Sequence, residues 1–145
     1  MKPSPLLKAA LKKREALRLT RYRLGDGGWT IGYGRYYPDG GVKPPAQITK
    51  ETAEAWFEQD VVERGEHWVN AYVTVPVSQT QYDALVHMAF NLSPKSFKTI
   101  ADAVNAGVDI TTFAMKFIRQ GTNLENGLRA RRAEELRLYY QGIYP

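Results

Sequence analysis

The chain has 145 residues, 43% hydrophobic and 24% charged, with 20 Lys and Arg against 15 Asp and Glu for a net charge of +5. That balance excludes a disordered chain and allows one core, at most shared between two small lobes. The absence of cysteine excludes disulfides, thiol catalysis and Cys-based metal sites, and no apolar run approaches the roughly 18 residues of a membrane span.

Ser4-Pro5 is a helix start, a capping Ser followed by Pro at the first helical position. Leu6, Leu7, Ala10, Leu11 and Leu17 follow at helical spacing, so a helix is expected over about 5–18. Its apolar stretches, Leu6–Leu7 and Ala9–Leu11, are too short and too interrupted by Lys for a signal peptide, and a cytoplasmic location is expected. Two aromatic and β-branched segments then flank Gly25-Asp26-Gly27-Gly28, which predicts a β-hairpin. Residues 36–47, rich in Pro and Gly, read as an exposed loop with room for a short third strand. Thr49 caps a long helix expected to reach about Asn70, with Gly65 a weak point. Ser78 caps an apolar helix, two shorter helices are expected over about 94–106 and 109–118, and a basic amphipathic helix over about 127–140. One helix, a small sheet and then only helices make an α+β chain with segregated elements.

Charge is uneven. Residues 1–35 carry nine basic and two acidic side chains, residues 36–112 five and ten, and residues 113–145 six and three. If the two basic ends meet, Arg21, Arg23 and Arg35 with Arg129, Arg131 and Arg132 form a positive face suited to a polyanion; the plainer alternative is solvated surface charge.

No phosphate loop, His-Glu-x-x-His or Gly-x-Ser-x-Gly is present. His67 and His87 lie on predicted helices and read as ordinary surface or core residues. No metal and no cofactor are expected. What remains is carboxylate and hydroxyl chemistry. Glu15 closes the first helix just before the hairpin, where a cleft wall can hold a carboxyl among apolar neighbours, here Leu19 and the Trp29 region. Such burial favours the protonated form a general acid needs. A second carboxylate, Asp26, or a hydroxyl, Thr30, can place a water on the opposite side. Taken singly, Glu15 reads by default as a surface ion-pair partner of Arg14 or Arg18, and Asp26 as turn chemistry.

Glu15-Ala16-Leu17-Arg18-Leu19-Thr20-x-Tyr22 followed by Gly28-Trp29-Thr30-Ile31-Gly32-Tyr33-Gly34 resembles the signature of phage-type lysozymes (glycoside hydrolase family 24). Residues 48–61, Gln81–Asn91 and Gly127–Glu134 resemble, in order, that family's interlobe helix, core helix and C-terminal segment. The resemblance implies a mostly helical two-lobed fold in a single domain. The small lobe would span about 15–50, a linking helix about 50–70, and the helical lobe about 71–145 together with the first helix. It implies cleavage of the β-1,4 bond between N-acetylmuramic acid and N-acetylglucosamine in peptidoglycan. Glu15 matches the family's acid and Thr30 a threonine that places the attacking water; Tyr33, Asn91 and Arg35 are expected to contact substrate.

Four positions depart from the pattern. The family's Asp two residues after the Tyr is Leu24, and Asp26 replaces it if the turn is reshaped. The closing His is Arg35, the Gly after the acid is Ala16, a mild change, and a Gly after Phe-Asn is Ser93. A monomer is expected, held in the host cytoplasm until a separate pore releases it to the wall, or carried in a virion. It would neither insert stably in membranes nor bind nucleic acid. Two alternatives stand beside this one: a catalytically weakened or inactive wall binder on the same fold, and, on charge alone, a nucleic-acid-binding domain without any recognised motif.

Overall fold

The computed structural model describes all 145 residues. Helix α1 (Pro5–Glu15) starts where Ser4 Oγ accepts the Leu7 amide at 3.2 Å. It stops at Glu15, three residues short of the expected end. There Ala16 turns to φ 57° and ψ 149° while its N–H still reaches the Lys12 carbonyl. This break lets Glu15 end a helix and face the sheet that follows.

Strands β1 (Arg18–Arg23), β2 (Gly28–Gly32) and β3 (Arg35–Pro38) form an antiparallel sheet in that order. Tyr22, Thr30 and Tyr36 are cross-strand partners, as are Arg23, Trp29 and Tyr37. Partners share a face, so Thr30 lies between two tyrosines on one side and Trp29 on the other. The loop after β3 returns along the outer edge of β1, where the Arg21 amide donates to the Ala46 carbonyl and the Ile48 amide to that of Leu19. A small core of Ile31, Ile48 and Ala53 lies beneath the sheet.

Helix α2 (Lys50–Asp60), capped by Thr49, runs without a break through a π-helical turn (Val61–Glu66) into α3 (His67–Tyr72). The helix therefore extends slightly past Asn70, and it widens around Gly65. A Cβ on Gly65 would stand 2.8 Å from Val86 Cγ1, so the residue is a close-packing point against the next helix. That helix, α4 (Gln79–Asn91), starts at a Ser78/Gln81 capping box, and Tyr82–Phe90 are all buried. It is the centre of the main core, where Leu7 and Leu11 of α1 meet Phe57, Phe90, Phe97 and Ile100.

Ser93 and Pro94 open α5 (Pro94–Asn105). Helix α6 (Thr111–Ala114) is a single turn, shorter than the helix expected over 109–118. Helix α7 (Glu125–Gln141) is less simply amphipathic than its sequence suggests, because Arg131, Arg132 and Glu135 are buried beside Leu138. Asp83 of α4 accepts hydrogen bonds from Ser4 N and Oγ, Gln79 Nε2 and the Tyr144 hydroxyl, and so ties both ends of the chain to one helix. No helix is long and apolar enough to cross a membrane.

Candidate active site

Glu15 stands at the C-terminus of α1, between the turn after β2 and helix α7. Its Oε1 accepts from Arg131 Nη1 at 2.9 Å. On the other side the backbone of Gly34 comes so close that an added Cβ would lie 2.5 Å from Oε2, and Gly34 also has φ 76°. The positive φ favours glycine there, and any side chain would push the Glu15 carboxylate aside. The expected apolar shield is absent. Leu19 is exposed, and Trp29 lies on the far face of the sheet with the guanidinia of Arg21 and Arg23 at 4.7 and 4.9 Å from its ring centroid. The carboxylate is enclosed by an arginine and a glycine turn instead.

Arg131 belongs to a buried polar seam between α4 and α7. Glu135, one turn on, is fully buried. Its Oε2 receives His87 Nδ1 at 2.6 Å and Arg132 Nη2 at 3.2 Å, and Arg132 Nε stands 2.7 Å from its Oε1. Arg131 Nε is 3.6 Å from Oε2. Burial pushes the Glu135 carboxyl up, but the His87 hydrogen bond and the charges of Arg132 and Arg131 outweigh it and hold the group below the usual carboxylate range. Asn91, expected at the substrate, accepts from Arg132 Nη2 at 2.6 Å and closes the seam.

Thr30 is buried on the face it shares with Tyr22 and Tyr36. Asp26 is exposed in the β1–β2 turn, and its main-chain carbonyl accepts the Tyr36 hydroxyl at 2.8 Å. The Tyr22 phenol is pushed up by burial; Arg18 opposes the rise, and the Glu15 and Asp26 carboxylates add to it. Leu24, at the position where an Asp is usual, is 68% exposed.

The other two expected substrate contacts also have structural partners. Tyr33 donates its hydroxyl to Glu54 at 2.9 Å and packs edge-on to Phe57, bracing the sheet against α2. Arg35 binds Asp60 through Nε and Nη2 at 3.1 and 2.9 Å and stacks on Trp56. With Tyr36, Tyr37, Asp60, Glu63 and Arg64 it lines a cleft of about 450 Å³.

The positive face does not form as expected. Arg131 and Arg132 are buried on carboxylates, Arg35 is paired with Asp60, Arg23 with Asp39 and Arg129 with Glu125. Asp39 and Asp60 come from the acidic middle segment, whereas Glu15, Glu125 and Glu135 are carboxylates of the basic ends themselves. Arg21, whose Nη1 donates to the Pro44 carbonyl, is the member of that set without a carboxylate.

The chain matches the phage lysozyme family over residues 12–135. The chain belongs to the phage lysozyme family. It is 31% identical over 121 residues to an endolysin of Acyrthosiphon pisum secondary endosymbiont phage 1, covering 82% of this chain and 80% of that one. It spans only about half the length of some other endolysins it matches. Among solved structures, an endolysin from Escherichia coli O157:H7 phage FAHEc1 superposes with a TM-score of 0.81 at 31% identity, covering 100% and 97% of the two chains. The muramidase domain of SpmX from Asticaccaulis excentricus gives 0.79 at 29% identity, covering 97% and 98%. The two-lobed α+β lysozyme fold is thereby established, and the family is one of peptidoglycan-hydrolysing lysozymes.

Three members of the site escaped the sequence reading: Arg131 as the partner of Glu15, Glu135 as the buried anchor, and His87. The signal was present in part. Arg131 and Glu135 fall four apart on a helix, and charges spaced so share a face, here the one that also buries Leu138.

Proposed function

We propose that this chain is a muramidase that hydrolyses the β-1,4 bond between N-acetylmuramic acid and N-acetylglucosamine in bacterial peptidoglycan, during phage-driven lysis or wall penetration. The observation that carries this reading is the Glu15 carboxylate, fixed at the end of α1 between Arg131 and Gly34 and facing the sheet that bears Thr30. In its protonated form Glu15 donates a proton to the glycosidic oxygen as the bond breaks, and is left as the carboxylate. The sugar then develops oxocarbenium character, which a carboxylate or a positioned water on the other side stabilises. Thr30 orients the water whose oxygen bonds to the anomeric carbon, and Asp26 supplies the charge and accepts that water's proton. Peptidoglycan is the partner, and the protein acts as a single lysozyme unit released from the host cytoplasm through a separate pore or carried in a virion.

One observation favours a second reading, a wall binder of weakened activity: Leu24 stands where the family pattern has an Asp. A reducing-end assay on purified peptidoglycan, with wild type beside Glu15→Gln, separates the two. Loss of a general acid costs about 10²–10⁴-fold in rate. The muramidase reading expects that loss at unchanged melting temperature. Wild type that sediments with walls and releases no reducing ends supports the binder.

A further inference from the structure

His87 is 1% exposed, on the helix that fills the core, and the reaction as described gives it no part. Its position is not that of a passive core residue. His87 and Asn91 lie four apart on α4 and present one face to α7. Asn91 receives Arg132; His87 Nδ1 makes the shortest contact that Glu135 has, 2.6 Å to Oε2. A buried carboxylate accepts only, so Nδ1 carries the hydrogen. His87 Nε2 is buried with no protein partner, which suits an unprotonated nitrogen better than an N–H.

Glu135 in turn faces both arginines. Arg131 Nε stands 3.6 Å from the same Oε2 that His87 holds, while the far end of that guanidinium, Nη1, reaches Glu15. Two donors thus bind Oε2, the nearer from another helix, while Arg131 Nε stands off without a hydrogen-bond partner. We propose that His87 is a positioning residue for Glu15, acting through Glu135 and Arg131. By donating to Oε2 it fixes the Glu135 carboxylate and leaves Arg131 in contact but not closed upon it. Without that hydrogen bond Oε2 keeps only Arg132 Nη2 at 3.2 Å, and Arg131 Nε, the next donor at 3.6 Å, closes on it and draws Nη1 away from Glu15.

The proposal rests on Glu15 as general acid, and its test has readouts that do not. His87→Leu removes the donor. His87→Asn keeps an N–H close to the place of Nδ1. On peptidoglycan, His87→Leu is expected to lower kcat about tenfold with KM within about twofold, and His87→Asn to stay within about threefold of wild type. The Arg131 Nε–Hε resonance should move in the Leu variant and stay in place in the Asn variant. In the unsubstituted protein, ¹⁵N spectra should show the Nδ1–H tautomer of His87. An Nε2–H tautomer overturns the proposal, whether or not either variant folds. So does a Leu variant with an unmoved Arg131 resonance, or an Asn variant that loses kcat as the Leu variant does. An active Glu15→Gln enzyme overturns the catalytic part alone and leaves the His87–Arg131 linkage to be judged on the resonances.

Discussion

Ala16 follows Glu15 with φ 57° and ψ 149°, close to a region populated essentially by glycine. An alanine there strains the backbone beside the site, so the replacement of glycine at this position is not the mild change the sequence suggests. Ala16→Gly should raise stability by about 1 kcal/mol, the relieved strain exceeding the added freedom of the unfolded chain, as read by urea denaturation. Asp26 poses the complementary question. Its turn is held by the Tyr36 hydroxyl on the main chain, and its carboxylate is in neither an ion pair nor a hydrogen bond, so it is free to face a sugar. Asp26→Asn should slow hydrolysis by about tenfold or more, and Leu24→Asp should partly restore that variant. Thr30→Val should slow it as well, through loss of the hydroxyl. If Asp26→Asn hydrolyses walls at the wild-type rate while Thr30→Val does not, the water is placed by Thr30 and the turn aspartate has no catalytic part.

At the scale of elements, the helix from Lys50 to Tyr72 shows what the sequence conveys and what it withholds. Thr49, the apolar spacing and the length were legible, because capping and periodicity are local. The π-helical turn was not: it arises where Gly65 meets Val86 of a helix twenty-one positions on. Gly65→Ala should therefore destabilise the protein by about 1–3 kcal/mol, measured by thermal unfolding, although alanine is the better helix former. The hairpin and the cap of α4 were legible for the same local reasons. Single-turn α6 and the early end of α1 were misread, since loop packing and the Ala16 torsion set those limits. In the site, Glu15 and Thr30 were visible through motif resemblance. Arg131 was misassigned to the surface because charge alone does not tell a solvated arginine from one buried on a carboxylate contributed by another helix.

Over the whole molecule, the seam between α4 and α7 ties stability to acidity. The Glu135 carboxyl is held below its ordinary value of 4.5. The unfolded chain therefore binds a proton that the folded one resists, so the stabilisation is complete above that value and is lost as pH falls through the lower, folded one. The melting temperature should drop below about pH 4.5, and Glu135→Gln, though less stable at neutral pH, should show a shallower decline over that range. A variant as acid-sensitive as wild type would move the effect to other carboxylates, with Glu54, lowered by Lys12 and Tyr33, the next to examine.

Asp83 gathers Ser4 and Tyr144 onto the same side chain, near the opposite end of α4 from Asn91. Asn91 lies eight helical positions beyond Asp83, about 12 Å of rise. A cargo fused at either terminus therefore departs from one shared corner, remote from the cleft. A short flexible bridge between the termini would close the chain into a ring, and the ring could be reopened at the exposed Asp39–Val42 bend without cutting a helix.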